Sequence, residues 1–573
     1  MEAFMPQPLA VTLLSLNSQY VHSSLAPWCL RAGVFAFARG SHQVTVLEGT
    51  VNEPLVKVAR RVIRDAPRVL GVSCYIWNIK SVKALLPMIR AAMPGCVIVL
   101  GGPEVGFCPE DALEAMPEAD FLIAGEGELP FARLLDALGG IGKLHEVPGL
   151  CCRTGKHFHL SPAHVHEAPP PTPYCPEYFG QLHGRIAYIE ASRGCPFSCA
   201  FCLSGRQEGR PRFVPLERVY GEIGALAHSG ARTIKFVDRT FNVNRSRADA
   251  VLQFISETST SLPPGITFHF EIAGDILAAS TLEIISAAPA GLFQFEIGLQ
   301  SMDAATLSRV RRKTDMEKLR KNIRALISQG NAHVHLDLIA GLPGEGLAGF
   351  ARGFDEAYAL GPHALQLGFL KLIHGSAMRE DPETYPCTFD PEAPYTVTGT
   401  PCLSGEDLKA LRLAERALDK LHNSGRFSRT LRWLTRAVGI SPFSLFLSLG
   451  RAITEAESGS ALSLDGLTCL VLDHLTGWLP EKAQAIRDLL LLDRLSSVPS
   501  SVLPACLKSA DTRFFICKRG LKARFPRKPG VIRAMGFLGS KGGSMVAFCD
   551  YDGKDPVTGH WHVQVIPLLR LGV

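Results

Sequence analysis

Long apolar runs are missing from this sequence of 573 residues: no stretch reaches the roughly 18 uninterrupted apolar residues that a membrane-spanning helix needs. A basic segment followed by an apolar one is also missing at the start, so no secretory signal peptide is predicted. The net charge is only +6, which does not by itself favour nucleic acid as a partner. We therefore expect a cytoplasmic protein with no membrane segment, in a compartment where thiols stay reduced and can bind metal.

Low-complexity sequence and regular cysteine pairs are also scarce. The chain is 46% hydrophobic and 20% charged, which excludes a disordered protein and is enough for sizeable cores. Its 16 cysteines lack the dense, even spacing of a small secreted disulfide scaffold. The six cysteines after residue 385 form no C-x2-C pair, and we expect them to be mostly buried small residues.

Short apolar runs alternate with helical patterns in the first part of the chain. Helical periodicity at 79–92 and 129–138 separates strand candidates, which lie at 10–16, 43–48, 69–74, 97–101 and 121–124. This alternation predicts a doubly wound, Rossmann-like α/β domain with a parallel sheet. A strand pair near 149–160 and a Pro-rich linker at 167–176 follow, and they separate this domain from the next.

The alternation restarts after the linker. Six strand candidates, with helices such as 216–228 and 316–328 between them, lie at 186–191, 233–237, 267–272, 293–297, 335–339 and 364–371. Six such units predict a partial (β/α)6 barrel of the TIM type, with functional residues at the carboxyl ends of its strands. Helices to about 495 and a strand-rich end from about 513 predict an α+β domain. The predicted domains are therefore 1–150, the linker region 151–184, the barrel 185–384 and the C-terminal domain 385–573.

Three cysteines stand close together directly after the first barrel strand. They occur in Arg193-Gly-Cys-Pro-Phe-Ser-Cys-Ala-Phe-Cys202, at C-x3-C-x2-C spacing. The thiolates of Cys195, Cys199 and Cys202 could bind three corners of one cubane cluster and leave its fourth iron open. Phe201 could pack beside the cluster or a bound purine. The alternatives are chance clustering and a structural zinc site, although zinc sites usually show paired C-x2-C units.

The cysteine spacing, the preceding strand and the following six units resemble the radical S-adenosylmethionine (SAM) superfamily over about 185–375. This resemblance implies a 4Fe–4S cluster that binds the amine and carboxylate of SAM and cleaves SAM reductively to a 5′-deoxyadenosyl radical. It also implies an external one-electron reductant such as flavodoxin or ferredoxin.

Further barrel positions are similar to the superfamily pattern. Asp238 and Arg239 end the second strand, where a Gly-Gly-Glu that contacts the methionyl group is common. The resemblance implies contacts to the ribose and methionine of SAM from the fourth strand, and backbone contacts to adenine from the fifth; these residues are Glu296, Gly298, Gln300, Gly341 and Leu342. The alternatives are a surface ion pair for Glu296 and an ordinary turn for the Gly-Leu-Pro-Gly segment.

Small residues end three strands of the first domain at one sheet edge, where doubly wound folds bind ligands. Glycine there lets the backbone approach a bulky ligand closely. This set, directly upstream of such a barrel, resembles cobalamin-binding domains and implies cobalamin contacts from Ser73, Cys74, Gly101, Gly102, Pro103, Gly125, Glu126 and Gly127.

The first loop contains His22. In the resembled family a histidine of an Asp-x-His-x-x-Gly motif often ligates cobalt, but here Tyr20 and Leu25 replace the Asp and the Gly. His22 could face the cofactor, or it could cap the first helix together with Ser23. The loop also resembles an uncharacterised subgroup with a C-terminal domain of unknown function.

The order of the two modules resembles the class B cobalamin-dependent radical SAM proteins. The resemblance implies a methyltransferase that acts on an unactivated carbon of a small molecule, peptide or RNA. The alternatives are an oxidation, cyclisation or rearrangement without methyl transfer, and a cobalamin- and cluster-binding sensor that does not turn over.

Nine basic residues and no acidic ones lie between Thr512 and Cys549, interleaved with Phe514, Phe515 and Phe525. Such a stretch could hold phosphate or RNA. Alternatively, it is a solvated face balanced by acids such as Asp550, Asp552 and Asp555.

Overall fold

The computed structural model describes residues 8–155, 157–163, 165, 167–206, 210–509, 511–539 and 543–572. They form two compact units: residues 8–273 with 310–312 and 370–398 make the first, and residues 274–309, 313–369 and 399–572 make the second. Within these residues, no helix is both long and apolar enough to cross a membrane.

A seven-stranded sheet forms the N-terminal part of the first unit. Its strands are β1 Ala10–Asn17, β2 Gln43–Thr50, β3 Val69–Ser73, β4 Val97–Gly101, β5 Phe121–Ile123, β6 Leu150–Thr154 and β7 His157–Leu160. The helices of this part are α1 Ala26–Phe37, α2 Leu55–Asp65, α3 Ile79–Ala92, α4 Pro103–Gly106, α5 Pro109–Ala115 and α6 Glu128–Leu138. The strand order is β2-β1-β3-β4-β5-β6-β7. β1 to β5 are parallel, and β6 and β7 are antiparallel.

The parallel strands are buried because helices pack on the sheet in pairs, α1 with α6 and α2 with α3. β3 is buried along its whole length, as is typical of a parallel sheet covered on both faces. The order places β1 between β2 and β3, so the direction of the connections reverses between β1 and β3. Loops diverge at such a switch point and open a crevice at the carboxyl ends of the strands.

The first unit also contains the first half of the predicted barrel. Its strands here are β8 Ile186–Ile189, β9 Ser192–Arg193, β10 Arg212–Phe213, β11 Thr233–Phe236 and β12 Thr267–Ile272. The helices are α7 Pro176–Phe179, α8 Leu216–Ala227 and α9 Arg245–Glu257. β11 pairs in parallel with β8 and with β12. β9 and β10 are antiparallel, and they bracket the cysteine-containing segment.

The second unit continues the strand–helix alternation. Its parallel strands are β13 Phe293–Gln300, β14 His333–Ala340 and β15 Ala364–Phe369. The helices are α10 Ala279–Ala287, α11 Ala304–Arg309, α12 Met316–Gln329 and α13 Leu347–Ala359. Buried and half-buried residues alternate along β13 and β14. One side of each strand therefore joins the core, and the other carries the polar side chains.

Short elements connect the barrel segment to the C-terminal region: α14 Ala377–Glu380, β16 Thr388–Phe389 and β17 Val397–Gly399. The helices that follow are α15 Gly405–Ala417, α16 Ser428–Arg436, α17 Pro442–Ala456, α18 Leu464–Trp478, α19 Ala483–Ser497 and α20 Phe514–Arg524. An antiparallel sheet of β18 Arg533–Leu538, β19 Met545–Lys554 and β20 Trp561–Pro567 ends the second unit.

The predicted strand-rich end is wrong at its start, because residues 514–524 form helix α20. Cys517 and Leu521 are one helical turn apart and both are buried against the sheet. The cysteine prediction also needs correction: Cys469 and Cys506 form a disulfide, and Cys402 is exposed. Lys541, one of the nine basic residues, lies outside the described residues.

Candidate functional site

A cavity of about 680 Å³ lies in the first unit, at the carboxyl ends of β1, β3, β4 and β5. This is the crevice expected at the switch point of the sheet. Most of the predicted cobalamin positions line it, namely His22, Ser73, Gly101, Gly102, Gly125, Glu126 and Gly127. Cys74 and Pro103 are not among the lining residues. Cys74 is fully buried, and its backbone N–H donates to the carbonyl of Gly101. Cys74 therefore holds the strand end that carries Gly101.

The two adjacent glycines of this edge have different reasons to be glycine. Gly102 has φ 112°, and a Cβ there would lie 2.5 Å from the carbonyl oxygen of Cys74. The backbone itself therefore requires glycine at 102. At Gly101 the nearest atom to a Cβ would be the carbonyl oxygen of Ile123, at 3.6 Å. A Cβ at 101 would thus make only an ordinary contact, and the missing side chain leaves more room for a ligand at the cavity lining.

His22 is held by the first strand of the barrel. Its Nδ1 lies 2.7 Å from the hydroxyl of Tyr188, and its backbone forms a bridge to Ile186. Burial lowers the pKa of His22, and the charges of Lys235 and Arg185 lower it further. Tyr188 thus orients the imidazole at the cavity wall, and the surroundings of the ring favour its neutral form.

The interpretation of His22 and Ser23 as a helix cap is wrong. α1 begins at Ala26, its N-cap position is Leu25, and no side chain caps it. Ser23 instead donates its hydroxyl to the carbonyl of Ile186 at 2.8 Å. Both residues attach the first loop to β8.

Barrel strands supply a charged wall on the far side of the cavity. Tyr188, Lys235 and Glu271 project from β8, β11 and β12, and Glu190 and Arg239 follow the ends of β8 and β11. The Nζ of Lys235 lies 3.3 Å from the Oε1 of Glu271. Interiors of (β/α) barrels are usually filled by Val, Ile and Leu, so charged side chains here favour a ligand-facing surface.

The predicted cluster cysteines occupy the segment between β9 and β10. Cys195 and Cys199 are buried, and Cys202 is half-buried. The Sγ of Cys195 lies 3.5 Å from the hydroxyl of Thr240, and the Sγ of Cys202 accepts from the backbone N–H of Ser204 at 3.4 Å. Among the described residues, no three His, Cys, Asp or Glu side chains are arranged to hold one metal ion. Three thiols without a carboxylate are the donor set of an iron–sulfur cluster, whose ligands stand at separate corners.

Arg193 joins the cysteine segment to the loop after β5. Its guanidinium contacts Glu190 at 2.8 Å, and it also pairs with Glu128 and Glu126. Arg212, on the other side of the cysteine segment, pairs with Glu126 as well. Burial raises the pKa of Glu190. At Glu128 burial is also the largest single effect, but the charge and hydrogen bond of Arg193, a backbone hydrogen bond and the charge of Arg212 together outweigh it and lower the pKa. Three carboxylates and two guanidinium groups thus form one network of ion pairs, which connects the region after β5 to the cysteine segment.

Asp238 and Arg239, two adjacent residues predicted to contact SAM, have different surroundings in the structure. Arg239 lines the cavity, whereas Asp238 is buried and accepts from the backbone N–H of Ala191 at 2.9 Å and from the hydroxyl of Ser192. Burial raises the pKa of Asp238 to about 7. Asp238 therefore holds the strand that leads into the cysteine segment. Phe201 is half-buried within that segment.

The remaining SAM predictions lie in the second unit. Glu296, Gly298 and Gln300 share the half-buried side of β13, and the pairing with β14 has a bulge between Gly298 and Gln300. Gln300 has φ 68°, which is uncommon for a non-glycine residue. Such a bulge re-aims the side chains that follow it and is over-represented beside active sites. Gly341 has φ 96° at the end of β14, and Leu342 is fully buried.

Residues 189–354 match the radical SAM superfamily, residues 20–135 match the B12 binding domain, and residues 383–519 match a protein family of unknown function, DUF4080. The chain is a cobalamin-dependent radical SAM protein. The predicted subgroup with an uncharacterised C-terminal domain is confirmed, and the expected cofactors of these domains are a 4Fe–4S cluster, SAM and cobalamin.

Relatives of this radical SAM protein include two methyl-transferring enzymes. The 2-(S-pantetheinyl)-carbapenam-3-carboxylate methyltransferase of Streptantibioticus cattleyicolor is 28% identical over 337 residues, which are 52% of this chain and 46% of the relative. Hopanoid C-3 methylase of Methylococcus capsulatus is 25% identical over 331 residues, which are 55% of this chain and 59% of the relative. The chain thus spans about half the length of these two relatives.

The solved structure of the cobalamin-dependent S-adenosylmethionine radical enzyme OxsB has a similar fold. Its TM-score is 0.59 at 15% identity, over 85% of this chain and 79% of that one. The likeness confirms the predicted fold class, which is an N-terminal doubly wound domain, a partial radical SAM barrel and a C-terminal α+β domain. The exact domain boundaries stay a prediction.

Sequence reasoning missed several residues of the cavity in this radical SAM protein. Tyr75 and Trp77 stack with ring centroids 4.3 Å apart, and both line the cavity. Their position directly after a strand that ends in Ser73 was the available signal. Lys235 and Glu271 were also missed, although a charged residue between apolar neighbours in a barrel strand indicates an inward-facing position.

Arg193→Met is expected to destabilise the first unit, because Glu128 and Glu190 would lose their guanidinium partner and Glu126 would keep only Arg212. Removing one partner of a largely buried ion pair costs about 3–5 kcal/mol, and partial exposure of Arg193 reduces the expected loss to about 2–4 kcal/mol. Thermal unfolding followed by circular dichroism measures it. Arg61→Met, which breaks the more exposed Arg61–Glu53 pair, is the matched control and should cost below about 1 kcal/mol. Equal unfolding temperatures for the two variants would contradict this account.

Glu345, in the turn after β14, gives a pH-dependent prediction. It is buried, it accepts from the hydroxyl of Ser301 at 2.7 Å, and burial raises its pKa to about 7. The folded chain therefore keeps a proton that the unfolded chain loses near the ordinary value of 4.5. Stability should fall as the pH rises from about 4.5 to about 7 and should stay at the lower level above that range.

Glu345→Gln removes this dependence, since the amide is neutral at every pH and can still accept from Ser301. We expect the variant to be about 2–3 kcal/mol more stable than the parent near pH ~8 and equally stable near pH ~5. Urea unfolding of the cofactor-free protein at both pH values measures this difference. Glu317→Gln, at an exposed glutamate of α12, is the control and should leave both midpoints unchanged. A parallel shift of the Glu345→Gln curve at both pH values would refute the assignment.

Proposed function

We propose that this chain is a cobalamin-dependent radical SAM methyltransferase that methylates an unactivated carbon. The observation that carries the proposal is the cavity of the first unit, whose one wall is the edge of the B12-binding sheet and whose other wall comes from the barrel strands around the cysteine segment. The activities of the two relatives support methyl transfer.

Cys195, Cys199 and Cys202 would hold the 4Fe–4S cluster, which when bound supplies the electron that cleaves SAM. The segment around them keeps these thiols away from water, since two of the three are buried. Asp238 and Ser192 fix the strand before this segment, and Arg193 fixes its start. Glu296, Gly298, Gln300, Gly341 and Leu342 are the proposed SAM contacts of the second unit.

Gly101, Gly102, Gly125 and Gly127 would admit the corrin face of cobalamin, which when bound supplies the methyl group. The stacked rings of Tyr75 and Trp77 offer a flat apolar surface beside it. The proposed role of His22 is to face the cofactor with a ring that Tyr188 keeps oriented, whether or not it ligates cobalt. The lysine, arginine and glutamates of the opposite wall would orient a polar substrate.

An external one-electron reductant such as flavodoxin or ferredoxin is part of the proposal, as is a cytoplasmic location. The experiment uses anaerobically reconstituted protein, SAM with a deuterated methyl group, and an extract of a strain in which the gene is deleted. The expected result is 5′-deoxyadenosine together with a metabolite, peptide or RNA whose mass rises by the labelled methyl. If 5′-deoxyadenosine forms and no product is labelled, the enzyme performs radical chemistry without methyl transfer. If neither forms, the chain is a sensor.

A further inference from the structure

The C-terminal sheet of the second unit is covered on one side by α20. Cys517 and Leu521 of this helix are buried in a core with Phe537 and Phe548, and Phe514 packs at the edge of that core. The apolar side of α20 is therefore already used within the unit. Its opposite side faces away from this core.

Eight of the nine basic residues of this stretch are described, and three of them have acidic partners. The partners are Asp511 for Arg513 at 2.6 Å, Asp552 for Lys528 at 2.8 Å and Asp550 for Arg533 at 2.6 Å. The interpretation as a charge-balanced surface is therefore right for these three. The other five have no carboxylate partner within the described part of the chain: Lys518, Arg519, Lys522, Arg524 and Arg527.

Three of these unpaired cations lie on the same side of α20 as an exposed aromatic ring. Lys518, Arg519 and Lys522 follow Phe515 by three, four and seven positions, so helical geometry places them on the same side of α20 as Phe515. The ring of Phe515 is 78% exposed. We name these four residues the basic face of α20.

We propose that the basic face of α20 binds an unpaired loop of an RNA. The cations would neutralise backbone phosphates, and Phe515 would stack on one base, which is the combination that single-stranded nucleic acid requires. Unpaired bases that can stack in this way are typical of RNA loops. A membrane surface is less favoured, since α20 has already buried its apolar side and presents only Phe515 and Ile516 for insertion.

This inference goes beyond the proposed function and does not depend on it, because binding needs neither bound cofactors nor turnover. The test measures fluorescence anisotropy of a labelled RNA hairpin with an unpaired loop against the full-length protein. The variant Lys518→Ala/Arg519→Ala/Lys522→Ala should bind about tenfold more weakly or worse, with a salt dependence smaller by about 2 in log–log slope.

A matched control is available on α2. Lys57→Ala/Arg60→Ala/Arg64→Ala also removes three exposed cations from one helix face and gives the same net charge. This control should bind the hairpin like the parent. All six side chains are exposed, so circular dichroism should show both variants folded. Equal binding by the two triple variants overturns the proposal, because affinity would then follow net charge alone.

Phe515→Ala separates stacking from charge. It should weaken binding of the hairpin loop about tenfold and leave binding of a fully paired RNA duplex unchanged. Unchanged binding of the hairpin would overturn the role of Phe515. Sedimentation with vesicles of phosphatidylserine and phosphatidylcholine tests the membrane alternative. The proposal would also be overturned if the parent bound no RNA and sedimented with the vesicles, while the triple variant of the basic face did not sediment with them.

Discussion

Replacing Cys195, Cys199 and Cys202 together by Ala is expected to abolish both the broad visible absorption of the reconstituted protein and its cleavage of SAM. These cysteines are the three thiols of one segment, and cluster chemistry needs all three corners held. Because the cofactor carries the difficult step, SAM cleavage should fall at least ~10³-fold, to background. Iron and sulfide analysis, with quantification of 5′-deoxyadenosine, measures the effect.

The matched control replaces three other thiols that are not fully buried: Cys152→Ala/Cys387→Ala/Cys402→Ala. It removes the same number of sulfur atoms from outside the segment between β9 and β10, so cluster content should be unchanged. SAM cleavage by the first triple variant, or loss of the cluster in the control, would show that the iron is held elsewhere.

Gly101→Trp is expected to weaken retention of cobalamin strongly while the protein keeps its cluster. A Cβ at 101 would make only an ordinary contact, 3.6 Å from the carbonyl oxygen of Ile123, so a side chain there need not strain the backbone. Because Gly101 lines the cavity, the indole would occupy space that the ligand needs. Overfilling a fitted site costs about 1–3 kcal/mol, which is roughly a tenfold to hundredfold loss of affinity. Absorbance of cobalamin after gel filtration measures retention.

Gly101→Ala is the conservative control and should retain most of the cobalamin, because a methyl group fits the space. Gly102 is unsuitable for this test. Any Cβ there would collide with the backbone of Cys74, so loss of cobalamin could come from a distorted strand end. Full retention of cobalamin by Gly101→Trp would place the ligand away from this sheet edge.

Local patterns were sufficient for most of the fold. The strands of the doubly wound sheet and of the barrel were placed within a few residues, since parallel strands are short apolar runs separated by periodic helices. α20 was missed because its buried residues, Cys517 and Leu521, are too few to give a strong helical period. Its packing on the antiparallel sheet decides its structure.

The cysteine segment and the glycines of the sheet edge could be recognised from sequence because their spacing lies within one loop or one strand end. The opposite wall of the cavity could not. Tyr188, Lys235 and Glu271 lie more than 160 residues after His22 in the chain, and only the fold brings them to the same cavity. The attachment of His22 to Tyr188 likewise depends on a contact between distant segments. Packing between segments that are far apart in the sequence creates such neighbours. The spacing of residues within one segment therefore cannot predict them.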